Sequence, residues 1–429
     1  MRIAVNARTD IMRDHAIKAP GPIKLLIVES GHGAGGSSMA LYYTLRELDR
    51  TKFDPLVAFY FSNSGPDTTL LKQVGVPIHF LSPRTGRAEP AWFDKELHSL
   101  VLRALRKLVV VPWRLATFGI PSFRQLLRLI RANSISLMLL NNDVHYHVPA
   151  VLAAKASGIP CVCRKAGGIG EGRRIKRFLT PLVDLFISIS KATERDQIEN
   201  NPGTRKVVTV FGGVDLGRFA GRVRAGLRAE LGVPPGAKVV ASIARVLPGR
   251  GQEELLRAAP QVLRSYDNVA FLFVGDESPN AGAYMSFLRA EAERMGIAAQ
   301  AIFPGWRTDV PEILALVDIL VQCPSTVTEG LGVVVLEAMA AGKPVVASDN
   351  GGLPDAVFHG RTGFVVPRGD SDALAQALLK LLQDEALARR MGIAGRQRAE
   401  TEFNISHNVR KFEKLLEDCV ITAAAGHSR

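Results

Sequence analysis

The sequence predicts an α/β fold made of two doubly wound domains that face a cleft. Both halves of the 429-residue chain repeat short apolar runs followed by helix-like segments, the pattern of parallel sheets covered by helices. The chain is also longer than one core usually organises, so two domains are expected. We place an N-terminal extension at 1–21, a first domain at 22–212 and a second domain at 213–403.

The first predicted strand, 23–29, leads into a glycine-rich turn and a helix to about residue 48. Gly31, Gly33 and Gly36 satisfy the G-x-G-x-x-G spacing of dinucleotide-binding folds. Such folds carry an acidic residue after the second strand, which we expect at 55–61, and there this chain has Ser-Asn-Ser-Gly at 62–65. NAD binding is therefore disfavoured, but it stays open as an alternative.

The net charge of +13 is concentrated in the first half. Residues 101–177 hold 14 Lys/Arg and 2 Asp/Glu, whereas 216–429 hold 24 of each kind. The basic amphipathic stretch at 95–132 predicts either contact with an anionic membrane surface or ordinary helices with solvated charges. We expect no nucleic-acid partner, because aromatic residues are not interleaved with the charges.

The cysteines and the N-terminus indicate a cytoplasmic protein. The four cysteines form neither a disulfide framework nor a zinc-site spacing, which fits a reducing compartment. Residues 1–20 are polar and mixed in charge, so no signal peptide is expected. No apolar run approaches the roughly 18–20 residues needed to span a bilayer.

Polar residues follow two predicted strands of the first domain. After the strand at 136–140 come two asparagines and an aspartate, then His145 and His147. At the end of the strand at 159–164 stands the basic pair Arg164 and Lys165, which would suit a phosphate. The histidines have an ordinary structural interpretation as well, as surface or hydrogen-bonded side chains.

Two arginines flank a Pro-Gly turn at the start of the second domain. Arg245 follows the predicted strand at 238–244, and Arg250 stands five positions later, just before a helix. Cations beside a helix N-terminus suit a diphosphate leaving group.

The most informative stretch of the chain is 324–354. Glu329 and Glu337 stand eight positions apart, the first in a glycine-rich loop and the second in a helix that ends at Gly342. Strand, glycine loop, helix and strand form a βαβ unit, so the loop lies at the carboxyl end of a parallel strand, where ligands bind. Glycines at 330 and 332 would let the backbone approach a phosphate.

This stretch resembles the E-x7-E signature of retaining, GT-B-fold glycosyltransferases of glycosyltransferase family 4, also called glycosyl transferases group 1. Its flanks match too, with EGLG, LEAMAAGKPVVAS, GGLPDAV and GRTGFVVPRGD. The resemblance is dense over 235–403 and sparser over 22–220. It implies a GT-B fold and a last helix at 404–429 that packs back on the first domain.

The resemblance also implies roles for individual residues. Arg250 stands where the family usually has lysine, which keeps the charge but changes the geometry. The family histidine near the transferred sugar has no clear counterpart, so His145 or His147 would substitute. The implied catalytic residues are Glu329, Arg245 and Arg250. The implied donor contacts are Gly35, Gly36, Gly330, Leu331, Gly332, Glu337 and Arg307. The implied sugar or acceptor contacts are His145, His147, Arg164 and Lys165.

The expected reaction is glycosyl transfer from a nucleoside diphosphate sugar to a hydroxyl, with retention at the anomeric carbon and no metal or cofactor. UDP-sugars are the expected donors, with GDP-sugars as the alternative. The basic first domain favours a lipid-linked glycan acceptor in polysaccharide or lipopolysaccharide synthesis, used at the inner face of the cytoplasmic membrane. A soluble acceptor of the sucrose or glycogen type, or epimerisation of a nucleotide sugar, is the alternative.

Overall fold

The structure is a computed structural model. It describes residues 21–30, 36–61, 66–82, 113, 115–167, 169–170, 172–276 and 283–427. Several predicted features lie outside these ranges: the extension at 1–20, the donor contact Gly35, and residues 95–112 and 114 of the basic amphipathic stretch.

The first domain is built on a parallel sheet. Its strands are β1 Ile23–Glu29, β2 Phe53–Phe59, β3 Ile78–Phe80, β4 Leu137–Asn141, β5 Cys161–Lys165, β6 Leu185–Ser188 and β7 Val207–Thr209. Its described helices are α1 Gly36–Glu47, α2 Pro66–Gln73, α3 Ile120–Ala132, α4 Val148–Ala156, α5 Arg173–Leu179 and α6 Lys191–Asn200. The strand order is β3-β2-β1-β4-β5-β6-β7.

The second domain is also built on a parallel sheet. Its strands are β8 Lys238–Ile243, β9 Val269–Val274, β10 Ala301–Gly305, β11 Ile319–Gln322, β12 Val345–Ser348 and β13 Gly363–Val366. Its described helices are α7 Leu227–Glu230, α8 Gln252–Ser265, α9 Tyr284–Arg294, α10 Val310–Leu316, α11 Val333–Ala340, α12 Leu353–Ala356, α13 Ser371–Gln383 and α14 Glu385–Glu402. The strand order is β10-β9-β8-β11-β12-β13.

The apolar strands are explained by burial on both faces. Along β1, Leu26 and Val28 pack in one hydrophobic cluster, whereas Leu25 and Ile27 pack in another on the opposite face. Alternate side chains of a strand point to opposite faces, so a sheet covered by helices on both sides needs a continuous apolar run. The predicted pair of doubly wound α/β domains around a cleft is confirmed.

A last helix, α15 Ile405–His427, returns to the first domain. Its residues Phe412 and Leu416 belong to the same hydrophobic cluster as Leu25 of β1. The two passages between the domains lie side by side, because the Val214 amide donates to the Phe403 carbonyl at 2.8 Å. The chain thus passes between the two domains twice, at the same place.

The strand orders place the carboxyl ends of both sheets at a common cleft. In each sheet the order reverses beside the first strand, at β1 between β2 and β4 and at β8 between β9 and β11. Loops that leave parallel strands at such a switch point form the ligand crevice of α/β folds. The candidate site lies there.

Candidate active site

Two adjoining cavities fill the cleft between the domains. The larger, of about 330 Å³, is lined by Glu29 and Asn142 of the first domain and by the loop around Glu329 of the second. The smaller, of about 220 Å³, is lined mostly by the second domain. Arg245 and Arg250 line both cavities, so these two cations stand where the cavities meet.

The loop between β11 and α11 is held close to the first domain by glycine. A Cβ atom on Gly330 would stand 2.0 Å from the carbonyl oxygen of Ala166, which follows β5. A Cβ atom on Gly351 would stand 2.0 Å from the carbonyl oxygen of Glu329. A side chain at Gly330 would force the two domains apart, and one at Gly351 would force apart two loops of the second domain, so both close approaches depend on glycine.

Glu329 and Arg250 form an ion pair inside the cleft. The Glu329 side chain is 15% exposed and that of Arg250 is 28% exposed, so both remain reachable from the cavity. Arg250 Nε is buried and makes no hydrogen bond within the described ranges. The pair fixes the arginine in the cavity while leaving part of its donor capacity for a ligand.

Two helix N-termini meet at the same place. α1 begins at Gly36 in the first domain and α11 begins at Val333 in the second. A Cβ atom on Gly36 would lie 3.5 Å from Val333 Cγ2, so the two helix starts are in near contact across the cleft. The free backbone N–H groups and the dipole of a helix N-terminus favour anions. The cleft therefore combines two cations with two helix starts.

Glu337 lies on α11, lines the smaller cavity and is only 7% exposed. The hydroxyl of Tyr43, on α1, donates a hydrogen bond to Glu337 Oε1 at 3.0 Å. Burial raises the pKa of Glu337 to about 7, against the lowering effects of the Tyr43 hydrogen bond and the nearby Arg218 charge. This carboxylate is costly to bury and is positioned by the opposite domain.

The smaller cavity also has an apolar part of its lining. Trp306, Val274 and Val310 line it, together with Arg307. The Arg307 guanidinium donates to Asp309 Oδ1 at 2.7 Å, and this hydrogen bond is the main cause that raises the pKa of Arg307. An apolar slot with a fixed cation at its edge suits the flat ring of a nucleobase.

The first-domain wall of the larger cavity carries carboxylates as well as a cation. Glu29, at the end of β1, accepts hydrogen bonds from the Ser30 amide at 2.8 Å and from Asn142 Nδ2 at 2.9 Å. Asp143 is buried and accepts from Lys176 Nζ at 2.6 Å. Arg164 also lines this wall, where burial lowers its pKa to about 10. This wall is polar and largely balanced in charge.

Three of the four residues assigned to the sugar or acceptor do not line either cavity. Lys165 is fully buried and pairs with Asp196 on α6, so the expected contact with a ligand is corrected. His147 is also fully buried, with Nε2 2.9 Å from the Asn141 carbonyl oxygen, and the same correction applies. The His145 side chain is 13% exposed, and its Nδ1 lies 3.4 Å from Asp143 Oδ1, behind the cavity wall.

The other assigned residues within the described ranges lie at the cleft. This set lines one or both cavities and comprises Gly36, Arg164, Arg245, Arg250, Arg307, Glu329, Gly330, Leu331, Gly332 and Glu337. The sequence analysis assigned no role to Glu29, Asp143 or Tyr43. The position of Glu29 at the end of an apolar strand was an available signal, whereas nothing near Tyr43 in the sequence marks its partner.

Two further observations concern metals and membranes. The described ranges contain no group of three or more His, Cys, Asp or Glu side chains that could hold a metal ion. Within the same ranges, every helix is too short or too polar to cross a bilayer.

Comparison with known proteins agrees with the geometry of the second domain. Residues 223–398 match the family model of glycosyl transferases group 1. A GDP-mannose-dependent alpha-(1-6)-phosphatidylinositol monomannoside mannosyltransferase of Mycobacterium tuberculosis is 37% identical over 196 residues, which are 43% of this chain and 49% of that protein. A D-inositol 3-phosphate glycosyltransferase of Segniliparus rotundus is 38% identical over 194 residues, which are 44% of this chain and 42% of that protein. The chain thus spans about half the length of the curated relatives it matches.

Solved structures extend the likeness to both domains. The crystal structure of Anabaena HepE with UDP and glucose has a TM-score of 0.76 and 21% identity, and the match covers 92% of this chain and 99% of that one. Sucrose-phosphate synthase from Thermosynechococcus elongatus has a TM-score of 0.74 and 17% identity, over 93% of this chain and 100% of that one. At these identities the likeness shows the fold. The second domain is thus similar to the family of glycosyl transferases group 1 over residues 223–398, and the two domains together have the GT-B fold.

Proposed function

We propose that this protein is a glycosyltransferase that moves a sugar from a nucleoside diphosphate sugar to a hydroxyl group of an acceptor. The observation that carries the proposal is the meeting of Arg245, Arg250 and Glu329 with the first turns of α1 and α11 in one cleft. Cations and free backbone N–H groups are suited to hold a diphosphate and to stabilise it as it departs. The family of the second domain and the names of its relatives support the same reaction class.

The proposed reaction proceeds with retention of configuration. The bond from the anomeric carbon to the diphosphate oxygen breaks, its electron pair stays on the diphosphate, and the sugar becomes oxocarbenium-like. Arg245 and Arg250 stabilise the growing negative charge, and Glu329 faces the growing positive charge on the sugar. The acceptor oxygen attacks the face that the diphosphate leaves, and its proton passes to a diphosphate oxygen.

The donor is proposed to bind with its nucleoside in the smaller cavity and its diphosphate between the two cavities. The base would lie in the apolar slot beside Trp306 and Arg307, and Glu337 would accept from ribose hydroxyls. We propose a UDP- or GDP-sugar, and the named use of GDP-mannose by relatives makes GDP the first nucleotide to test. No metal or cofactor is part of the proposal, so transfer should persist in the presence of a chelator.

A thermal-shift panel with UDP, GDP, ADP, CMP and NAD tests the donor class. A nucleotide at 100 times its dissociation constant should stabilise the protein by about 2.7 kcal/mol. A shift with one nucleoside diphosphate supports the proposal. A shift with NAD alone would support the dinucleotide alternative raised by the glycines at 31, 33 and 36.

Two substitutions test the assigned chemistry. Arg250→Ala should weaken nucleoside diphosphate binding and lower transfer about 10²–10³-fold, because it removes a donor to the departing diphosphate. Glu329→Gln should keep nucleotide binding and lower transfer. Arg257→Ala, which removes a half-exposed arginine on α8 outside both cavities, is the matched control and should leave both properties unchanged. Normal transfer by Arg250→Ala would refute the proposal.

The acceptor is proposed to be a lipid-linked glycan of polysaccharide or lipopolysaccharide synthesis, reached by a cytoplasmic protein lying on the membrane surface. One exposed face of α5 supports this, because Ile175 is 39% exposed and Phe178 is 74% exposed beside the exposed Arg174 and Arg177. Lys176, on the opposite face of α5, is buried. Exposed apolar side chains flanked by arginines suit an anionic lipid surface.

The described part of the stretch at 95–132 also carries exposed apolar side chains. Of its described residues, Leu115, on the helical segment that leads into α3, is 53% exposed, and Ile120, the first residue of α3, is 47% exposed. Phe178→Ser should weaken sedimentation with phosphatidylglycerol vesicles, whereas Ile393→Ser, which removes a half-exposed apolar side chain of the second domain, should not. Equal loss in both variants, or no vesicle binding by the wild type, would remove the membrane from the proposal.

Two assays distinguish this proposal from a soluble acceptor and from an epimerase. A soluble acceptor of the sucrose or glycogen type is favoured if transfer proceeds without vesicles at the same rate as with them. An epimerase would interconvert the free nucleotide sugar with no acceptor present, which product analysis of the donor alone detects.

A further inference from the structure

One buried hydrogen bond joins the two domains at the nucleoside end of the cleft. Tyr43 is 1% exposed on α1, and its hydroxyl donates to Glu337 Oε1 on α11 at 3.0 Å. Arg218, on the segment between the two sheets, donates from Nη1 to Tyr43 Oη at 3.3 Å. The tyrosine hydroxyl therefore stands between a cation and a carboxylate that belong to different parts of the chain.

Only one oxygen of Glu337 is used by this contact. Within the described ranges Oε2 of Glu337 makes no hydrogen bond, although the residue lines the smaller cavity. An ionised carboxylate accepts several hydrogen bonds, so Oε2 has capacity for a hydroxyl group of a ligand. The Tyr43 bond fixes the rotation of the carboxylate and therefore the direction of that oxygen.

The helix that carries Tyr43 is held firmly in place. Arg46 Nη1, one turn later on α1, lies 2.7 Å from Asp215 Oδ2 on the segment between the sheets. The start of α1 at Gly36 lies against Val333, at the start of the helix that carries Glu337. Both ends of α1 are thus fixed relative to the second domain, so the Tyr43 hydroxyl occupies a defined position.

We propose that Tyr43 is a positioning residue for the donor nucleotide: it holds Glu337 from the opposite domain so that the free oxygen receives a ribose hydroxyl. The inference rests on the proposed function, because it assumes a ribonucleotide in the smaller cavity. It goes further in assigning part of ribose recognition to the first domain. Since the bond exists only when the domains stand together, ribose binding and a closed cleft favour each other.

The test compares ribonucleotides with their deoxy analogues in two proteins. Calorimetry measures the dissociation constants of GDP and UDP, and of their 2′-deoxy and 3′-deoxy analogues, for the wild type and for Tyr43→Phe. The wild type should bind the ribonucleotide about 10-fold more tightly than at least one deoxy analogue, and Tyr43→Phe should lose most of this preference. A change in this preference measures the coupling between the Tyr43 hydroxyl and the ribose hydroxyl. If Tyr43 had a purely structural role, its replacement would leave the preference unchanged.

Controls separate this inference from the proposed function. Tyr60→Phe removes another buried tyrosine hydroxyl of the first domain and should leave the preference intact. Should Tyr43→Phe fail to fold by circular dichroism, Tyr43→Met fills a similar apolar volume and takes its place. An unchanged preference in the Tyr43 variant, or equal weakening of ribo- and deoxynucleotides, would overturn the inference and leave the proposed function standing. A wild type that binds no nucleoside diphosphate would overturn both.

Discussion

Replacing Glu337 by glutamine should stabilise this protein, and more so at high pH. Glu337 is 7% exposed, and burial raises its pKa to about 7 from an ordinary value of 4.5. The folded protein therefore holds this proton more tightly than the unfolded chain does. Between pH 4.5 and 7 the folded state binds more protons, so the contribution of Glu337 to stability falls as pH rises.

The magnitude follows from the two pKa values. One pKa unit corresponds to about 1.4 kcal/mol, so the difference between 4.5 and about 7 gives a penalty of about 3 kcal/mol at pH 8. Glutamine keeps the shape of the side chain, and its amide oxygen accepts the Tyr43 hydrogen bond. Glu337→Gln should thus differ little from the wild type at pH 5 and be more stable by up to about 3 kcal/mol at pH 8.

Urea denaturation of both proteins at pH 5 and pH 8 measures this difference, because all other titrating groups are shared. Glu199→Gln, an exposed change on α6, is the control and should shift the free energy of unfolding by less than about 0.5 kcal/mol at either pH. A difference between Glu337→Gln and the wild type that does not depend on pH would refute the reasoning. A natural chain that keeps such a destabilising carboxylate is expected to use it.

Two other substitutions test the packing around the cleft. Gly330→Ala should reduce nucleotide-dependent transfer and destabilise the protein by about 1–3 kcal/mol, because its Cβ would stand 2.0 Å from the Ala166 carbonyl oxygen. Activity and melting assays measure both effects. Gly221→Ala is the control, because a Cβ atom at that position would meet nothing within 4 Å. Lys165→Met should cost about 3–5 kcal/mol in urea denaturation, because it leaves the buried carboxylate of Asp196 without its cation. Lys191→Met removes an exposed ion pair and should lower the free energy of unfolding by less than about 0.5 kcal/mol. Equal losses of stability in the Lys165 and Lys191 variants would contradict the distinction between buried and exposed pairs.

The fold could be predicted because its signals are local. Apolar runs mark β1 and β8 clearly, and both are buried central strands. Strand ends were less predictable: a strand expected at 55–61 runs over Phe53–Phe59 instead. Its start is set by pairing of Phe53 with Ile23 on the neighbouring strand, which a single segment does not reveal.

The site could be predicted where its residues are neighbours in the chain. Arg245 and Arg250 flank one turn, and together with the loop at Glu329 they line the same cavity. Two adjacent cations at the end of β5 have different environments although they are neighbours in the chain. Successive side chains of a strand point to opposite faces, so Arg164 reaches the cavity while Lys165 turns into the core. The residue types identify the charges, but the face of the sheet to which each side chain points depends on the pairing of the whole sheet.

The distribution of charge predicts that salt weakens membrane binding more than it weakens nucleoside diphosphate binding. The cations at the proposed diphosphate site, Arg245 and Arg250, come from the half of the chain whose charges balance, and Arg250 is already paired with Glu329. The surplus of positive charge lies at 101–177, on the first domain, and includes the exposed face of α5. Partly buried pairs are screened little by salt, whereas exposed charges facing a membrane are screened beyond about 8 Å at 0.15 M. Raising salt from 0.05 to 0.5 M should therefore abolish vesicle sedimentation while changing nucleoside diphosphate affinity only a few-fold, and a parallel fall in both would mean that the two ligands share one surface.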